Sequence, residues 1–266
     1  RMLGSVMEAE DMVQETYLRY EATDTSEVQS LKSFLCTITT RLCLDQLKSA
    51  RMQREEYIGP WLPEPLITEN LPLRSVDQKE KISMAFLVLL ESLSPVERAV
   101  FLLREVFDYG YDEIAQIVDK SEANCRQLYS RAKKYVVDRR PRFDPSLETQ
   151  QKIVGGFMQA LTTGDLNSLE ALLAEDVHCW SDGGGKVFAA RKPLHGRPLV
   201  IRFMQGLMRL APEDAHVELL ETNGTLSLMI YTGEQLYGVM NFLVAKGQIT
   251  EIRSVVNPDK LQHLQG

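Results

Sequence analysis

Apolar residues recur at helical spacing through the first part of the chain, and that spacing predicts two helices. The first is an acidic amphipathic segment around EAEDMVQETYLRY. The second runs from about Ser30 to Glu56, with Phe34, Ile38, Leu42 and Leu47 on one stripe. The pattern breaks at YIGPWLPEPLITENLPLRS, where Pro60, Pro63, Pro65 and Pro72 fall close together. Proline fixes φ and disfavours a helical residue before it, so residues 57–75 are expected to be an extended, stiff linker. A helical unit is predicted over 76–142. In SLSPVE, Ser94 stands at an N-cap, Pro95 at the first helical position and Glu97 at the third, which completes a capping box. Beyond Gly110, YDEIAQIV makes a short helix, DKS a tight turn and EANCRQLYSRAKKYVVDRR a longer helix. From 143 onward two helices, a strand at HCWSDGGGKVFAA and a further helix lead into four alternating runs. Turns at Asn223-Gly224, Gly233 and Lys246-Gly247 separate those runs, the mark of antiparallel hairpins.

Within 111–136, Ile114, Ala115 and Val118 are expected to face Cys125, Leu128, Ala132 and Val136 across the turn, sealing two helices in a helix-turn-helix. The outer face of the second helix then carries Asn124, Arg126, Gln127, Ser130, Arg131, Lys133 and Lys134. Arg, Asn and Gln can make paired hydrogen bonds to base edges in a major groove, whereas Lys and Ser more often hold phosphates. A solvated basic helix of a bundle is the plainer alternative. Asp119 occupies the turn position that often carries glycine, and aspartate tolerates left-handed backbone.

The chain's net charge of -7 does not oppose DNA binding, because salt screens charges beyond about 8 to 10 Å. Locally, residues 121–142 carry seven positive charges against Glu122 and Asp138, and residues 41–54 carry four against Asp45. The 266 residues, 44% hydrophobic and 25% charged, suit two or three globular domains. The apolar run AFLVLL at 85–90 is too short to cross a bilayer. With no signal peptide evident, a cytoplasmic protein with no membrane partner is expected. Four cysteines and four histidines are scattered without metal-ligand spacing, so neither a metal site nor a cofactor is expected. Arg1 is no initiator, and a preceding N-terminal piece is expected.

Taken in order, AEDMVQETYLR, SFLCTITTRLCLDQLKSARMQREEY and SLSPVERAVFLLREVFDYGYDEIAQIVDKSEANCRQLYSRAK resemble the extracytoplasmic-function (ECF) sigma factors of bacterial RNA polymerase. WLPEP at 61–65, DGGGK at 182–186 and NPDKL at 257–261 resemble the subgroup with a fused SnoaL-like domain. The resemblance implies a multidomain protein. Two all-α domains, sigma-2 over 1–56 and a sigma-4 helix-turn-helix over 76–142, precede an α+β, cone-shaped SnoaL-like domain of nuclear-transport-factor-like fold over 143–266. It also implies RNA polymerase core and promoter DNA as partners and no catalytic residues. By the same resemblance Asp11, Gln14 and Glu15 fall on the polymerase-binding face. Arg41, Asp45, Lys48, Arg51 and Arg54 fall on the minus-10 reader and melter. Asn124, Arg126, Gln127, Ser130, Arg131, Lys133 and Lys134 fall on the minus-35 reader.

Regulation in cis is implied for Trp61, Leu62, Pro63, Glu64 and Pro65, for Asp182, Gly183, Gly184, Gly185 and Lys186, and for Asn257, Pro258, Asp259, Lys260 and Leu261. Trp61, on an extended backbone, is expected to anchor on a neighbouring surface, with a plain spacer as the alternative. The glycine spacing of DGGGK is not that of a phosphate loop; Asp182 and Lys186 can make a polar contact across it, or it is a simple turn. His178, Trp180 and Asp182 alternate along one strand face and can line a pocket for a small ligand, although ordinary packing serves as well. Two rival functions stay open. One is an enzyme domain using Asp182 or His178 as base; the other is a DNA-binding regulator independent of polymerase.

Overall fold

The computed structural model describes residues 1–24, 26, 28–55, 57–68, 83–139 and 146–265, the side chains of 50–55 excepted. The start of the helical unit expected at 76 and the boundary at 142 and 143 lie outside these residues. The chain divides into two compact units, residues 1–56 with 86–140 and residues 57–85 with 141–266.

In the first unit α1 (Val6–Glu21) opens under Ser5, whose hydroxyl accepts from the Glu8 amide. Next comes α2 (Leu31–Glu55). The helices α3 (Met84–Glu91), α4 (Pro95–Glu105), α5 (Tyr111–Val118) and α6 (Glu122–Arg139) follow. The capping box at Ser94 is present in full, with each partner's backbone N–H bonded to the other's side chain. Asp119 ends α5 in the left-handed region at φ 54°, the geometry its short polar side chain tolerates. Ser121 then caps α6 by accepting from the Asn124 amide.

One buried residue of α2 joins the core of the later helices. Leu44 of α2 is buried with Ala99, Val100 and Leu103 of α4, Ile114, Ile117 and Val118 of α5, and Cys125 and Leu128 of α6. The seal between α5 and α6 is shorter than the spacing predicts. Ala132 and Val136 point instead into a second cluster with Phe86, Leu87, Leu90, Phe101 and Leu102 of α3 and α4. A helix as long as α6 outruns the eight-residue α5, so its last two turns need another partner.

The second unit packs α7 (Leu147–Thr163), α8 (Leu166–Leu172) and α9 (Arg197–Leu210) on a six-stranded sheet. The strands are β1 (Leu173–Asp182), β2 (Leu194–His195), β3 (Ala215–Thr222), β4 (Thr225–Thr232), β5 (Gln235–Ala245) and β6 (Gln248–Val255). Their order is β2-β1-β6-β5-β4-β3, antiparallel except between β1 and β6. Left-handed pairs at Asn223-Gly224 and Lys246-Gly247 close two of the hairpins. The core lies between helices and sheet: Phe157, Leu169, Val200 and Met204 meet Val177, Cys179, Leu228, Phe242 and Ile252. Within the described residues the unit therefore has the α+β architecture expected of the C-terminal domain.

Candidate nucleic-acid interface and linker clasp

Helix α6 has two chemically distinct faces because Cys125, Leu128, Ala132 and Val136 recur at helical spacing on one stripe, while of its large aliphatic residues Val137 is exposed near the C-terminal end. Cys125, Leu128, Ala132 and Val136 are buried. Asn124, Arg126, Gln127, Ser130, Arg131, Lys133 and Lys134 are all exposed. Several of these side chains already have partners. The Arg126 guanidinium lies 4.4 Å from the Tyr111 ring centroid and pairs with Glu122 at 3.3 Å. Arg131 pairs with Glu97 at 3.3 Å, and Lys133 with Glu105 at 3.0 Å.

On α1, Asp11 and Gln14 are exposed and Glu15 bonds Arg19 at 2.8 Å. On α2, Asp45 and Lys48 are exposed and pair with each other at 2.9 Å, while the side chains of Arg51 and Arg54 lie outside the described residues. Arg41 does something its assignment to a DNA track does not foresee. Its Nε donates to the Ile117 carbonyl at 3.2 Å and its Nη2 to the Gln116 carbonyl at 2.9 Å. These are among the carbonyls that the last turn of a helix leaves without intrahelical partners, and a cation there also meets the negative end of the helix dipole.

In the second unit the three marked segments converge. Asp182 ends β1 with no exposed surface, and its carboxylate gathers three donors: the Tyr57 hydroxyl, the Leu62 amide at 2.7 Å and the Lys260 ammonium at 2.8 Å. Lys260 is itself only 6% exposed. It donates to the Leu62 carbonyl at 2.5 Å and lies 3.8 Å from the Trp61 ring centroid. A buried charge without its counter-charge is expensive, so Asp182 and Lys260 hold each other and the stretch around Leu62 together. The Tyr57 phenol is pushed up from its ordinary range, first by burial and then by its bond to the Asp182 carboxylate. Asn257 donates to the Tyr57 oxygen at 2.9 Å and accepts from the Asp259 amide.

Two expectations are corrected by this geometry. Asp182 does not contact Lys186 across the loop; Lys186 pairs with Asp259 at 2.5 Å, because the loop folds toward the 257–261 turn. The deepest anchor of WLPEP is Leu62, 2% exposed, with Pro63, Glu64 and Pro65 also buried, while Trp61 is half-buried as a lid over Lys260. The glycines are needed for close approach. At Gly184, with φ +58°, a Cβ would come 2.4 Å from the Asn257 Nδ2, and at Gly185, with φ +73°, 2.9 Å from Ile58.

Several gripping residues carry no signal in their local pattern. Asn223 accepts from the Leu66 amide at 3.0 Å and returns its own amide to the Leu66 carbonyl at 2.7 Å. Thr68 accepts from the Gly224 amide at 2.8 Å, and His263 meets the Pro65 carbonyl at 2.8 Å. The N-G pair predicts a hairpin turn and gives no hint that the same turn holds the chain at 66–68. Of the suggested pocket-liners, His178 stacks on Trp180 at 5.5 Å with its ring near His195 at 4.6 Å. Asp182 is fully engaged in the clasp.

Residues 1–52 match Sigma-70 region 2 and residues 83–136 match Sigma-70, region 4. Among characterised proteins, the chain is 36% identical to the ECF RNA polymerase sigma factor SigJ of Mycobacterium tuberculosis over 98% of this chain and 87% of that protein. It is 28% identical to the probable ECF RNA polymerase sigma factor SigI of the same species over 100% and 90% respectively. The crystal structure of Mycobacterium tuberculosis SigJ aligns with a TM-score of 0.76 at 32% identity, over 98% of this chain and 92% of that one.

Proposed function

This chain belongs to the ECF RNA polymerase sigma factors, and we propose that its C-terminal domain regulates promoter use in cis by gripping the segment that joins sigma-2 to sigma-4. Core polymerase binds the face of α1 with Asp11, Gln14 and Glu15. Helix α2 serves the minus-10 element through Arg41, Asp45, Lys48, Arg51 and Arg54. Helix α6 reads the minus-35 element, with Arg126, Gln127 and Arg131 toward base edges and Lys133 and Lys134 toward phosphates. Two weak sites read together by one tethered protein bind far more tightly than either alone, so anything that fixes the length of the tether sets promoter output.

One observation carries the regulatory reading: the buried ion pair Asp182–Lys260 closes on both backbone polar groups of Leu62. It joins residues 62, 182 and 260, one from each marked segment. A clasp of this kind has two states, closed and open, which is what a switch requires. The same occupancy speaks against Asp182 as a catalytic base, since both its oxygens already accept from donors of the clasp. We therefore read the domain as a regulatory body without chemistry of its own.

The test is promoter-specific transcription with core polymerase. The full chain is compared with Gly184→Ala and with a chain lacking residues 257–266. Altered output from variants whose helical unit keeps its melting behaviour supports the reading. Unchanged output from both removes regulation by this domain.

A further inference from the structure

Two of the cations on the outer face of α6 are held by carboxylates from a different helix. Glu97 stands in the first turn of α4 and Glu105 is its last residue. Glu97 Oε1 lies 3.3 Å from Arg131 Nε. Glu105 Oε1 lies 3.0 Å from Lys133 Nζ, and it also accepts the Tyr129 hydroxyl, whose oxygen is 2.9 Å from the same ammonium. The acids are sheltered, with side chains 20% and 29% exposed, while the cations they hold are 68% and 50% exposed. Glu97 is fixed further by the capping box. The anions are thus anchored parts of the scaffold, and the cations are the more exposed members of each pair. The Glu122–Arg126 pair differs, because that acid lies on α6 itself.

Nonspecific affinity for duplex DNA comes from neutralising phosphates, one counterion released per cation engaged. A cation that must first leave an anchored carboxylate contributes less to that term. Hydrogen bonds from Asn124 and Gln127 to base edges carry no such cost. We propose that Glu97 and Glu105 are specificity-determining residues: Glu97 keeps Arg131 off phosphates of non-matching duplex until its own base edge is presented, and Glu105 withholds Lys133 from phosphates unless matching bases also engage the helix. The inference rests on the reading of α6 as the minus-35 reader.

The geometry allows a clean test, because amide replacements keep the structural bonds and remove only the charge. Glutamine serves in a capping box as glutamate does, so Glu97→Gln keeps its cap, and Glu105→Gln still offers Tyr129 an acceptor. Asp138→Asn, on exposed α6 surface, removes equal charge as a control. The full chain assembled with core polymerase would be titrated, over a series of salt concentrations, with a duplex that this holoenzyme selects from a random pool and with a scrambled duplex. Melting curves confirm that each variant folds.

The expected result for each glutamine variant is a plot of log affinity against log salt steeper by up to about 0.9 for the scrambled duplex and little changed for the selected one, with selected-to-scrambled discrimination lower by about threefold, the worth of one exposed ion pair. Slopes and discrimination equal to those of wild type or of Asp138→Asn overturn the proposal. A wild-type holoenzyme that selects no sequence through α6 overturns the minus-35 reading and this inference with it, whereas selection by wild type with unaltered glutamine variants sinks the inference alone.

Discussion

Replacing Asp182 with asparagine removes a single charge from the centre of the clasp at almost constant volume. The wild-type carboxylate is completely buried and offers only acceptors to three donors. An asparagine amide turned with its oxygen toward Leu62 and Lys260 preserves two of those bonds, and its NH2 can donate to the Tyr57 oxygen. Hydrogen bonding is therefore nearly conserved, and the loss is electrostatic: the Lys260 ammonium, 8% exposed at its side chain, loses the carboxylate charge it meets at 2.8 Å. Stranding one member of a buried ion pair costs about 3 to 5 kcal/mol. For a domain of this size each kcal/mol lowers Tm by about 2 to 4 °C, so a drop of roughly 10 °C is expected if the cost falls on global unfolding. If releasing residues 57–68 costs less than that, the segment detaches instead. The amide of Leu62, held at 2.7 Å by a buried oxygen in the wild type, then exchanges with solvent much faster at little change in Tm. Hydrogen exchange and calorimetry together distinguish the two routes. Lys260→Met should cost a similar amount, and the double variant much less than the sum, because the two stranded charges disappear together. Single variants costing under about 1 kcal/mol, or strictly additive costs, would refute a mutually dependent buried pair.

Gly184→Ala places a methyl 2.4 Å from Asn257 Nδ2 on left-handed backbone; the backbone alone should cost about 1 to 2 kcal/mol, read as lower Tm, and an unchanged Tm would show that Asn257 and Tyr57 simply yield. Asp119→Gly relieves a left-handed aspartate at φ 54° and should stabilise the helical unit by about 0.5 kcal/mol in urea titration, with net destabilisation as the contrary outcome. Arg41→Ala removes two hydrogen bonds from the carbonyl end of α5; since Arg41 is exposed, about 1 kcal/mol or less is expected, seen as faster amide exchange at Ile117–Lys120 in the free chain. Equal exchange in both proteins would show that the contact bears no load.

Local physics made the helical unit legible. The Ser94 capping box, the left-handed Asp119 and the two faces of α6 each depend on residues within a few positions of one another, and the structure has all three. Longer-range facts were less readable. Ala132 and Val136 have the right spacing to meet α5, yet the length of α6 carries them past it to α3 and α4. Hairpins over β3 to β6 follow from turn chemistry, whereas the parallel pairing of β1 with β6 joins strands more than sixty residues apart and has no local signature. Within the clasp, WLPEP, DGGGK and NPDKL stand out as local motifs, but which charge meets which is decided by the fold. Asp182 and Lys186 share a short loop and suggested a pair; the fold brings Lys260 to Asp182 and Asp259 to Lys186 instead. Trp61 drew attention by size, although the aliphatic Leu62 fits the buried position and leaves the ring to cover an ammonium.

The central claim is that α6 reads promoter DNA as part of a polymerase holoenzyme. The most direct measurement is transcription from a holoenzyme-selected promoter, with core polymerase and either the full chain or the variant Arg126→Ala/Gln127→Ala, whose substitutions fall on exposed positions and leave the core of the helical unit intact. Loss of minus-35-dependent initiation by at least about tenfold, with core binding retained, is the predicted result, since each lost base-edge contact is worth about 1 to 3 kcal/mol. Full promoter-specific initiation by the double variant would contradict it.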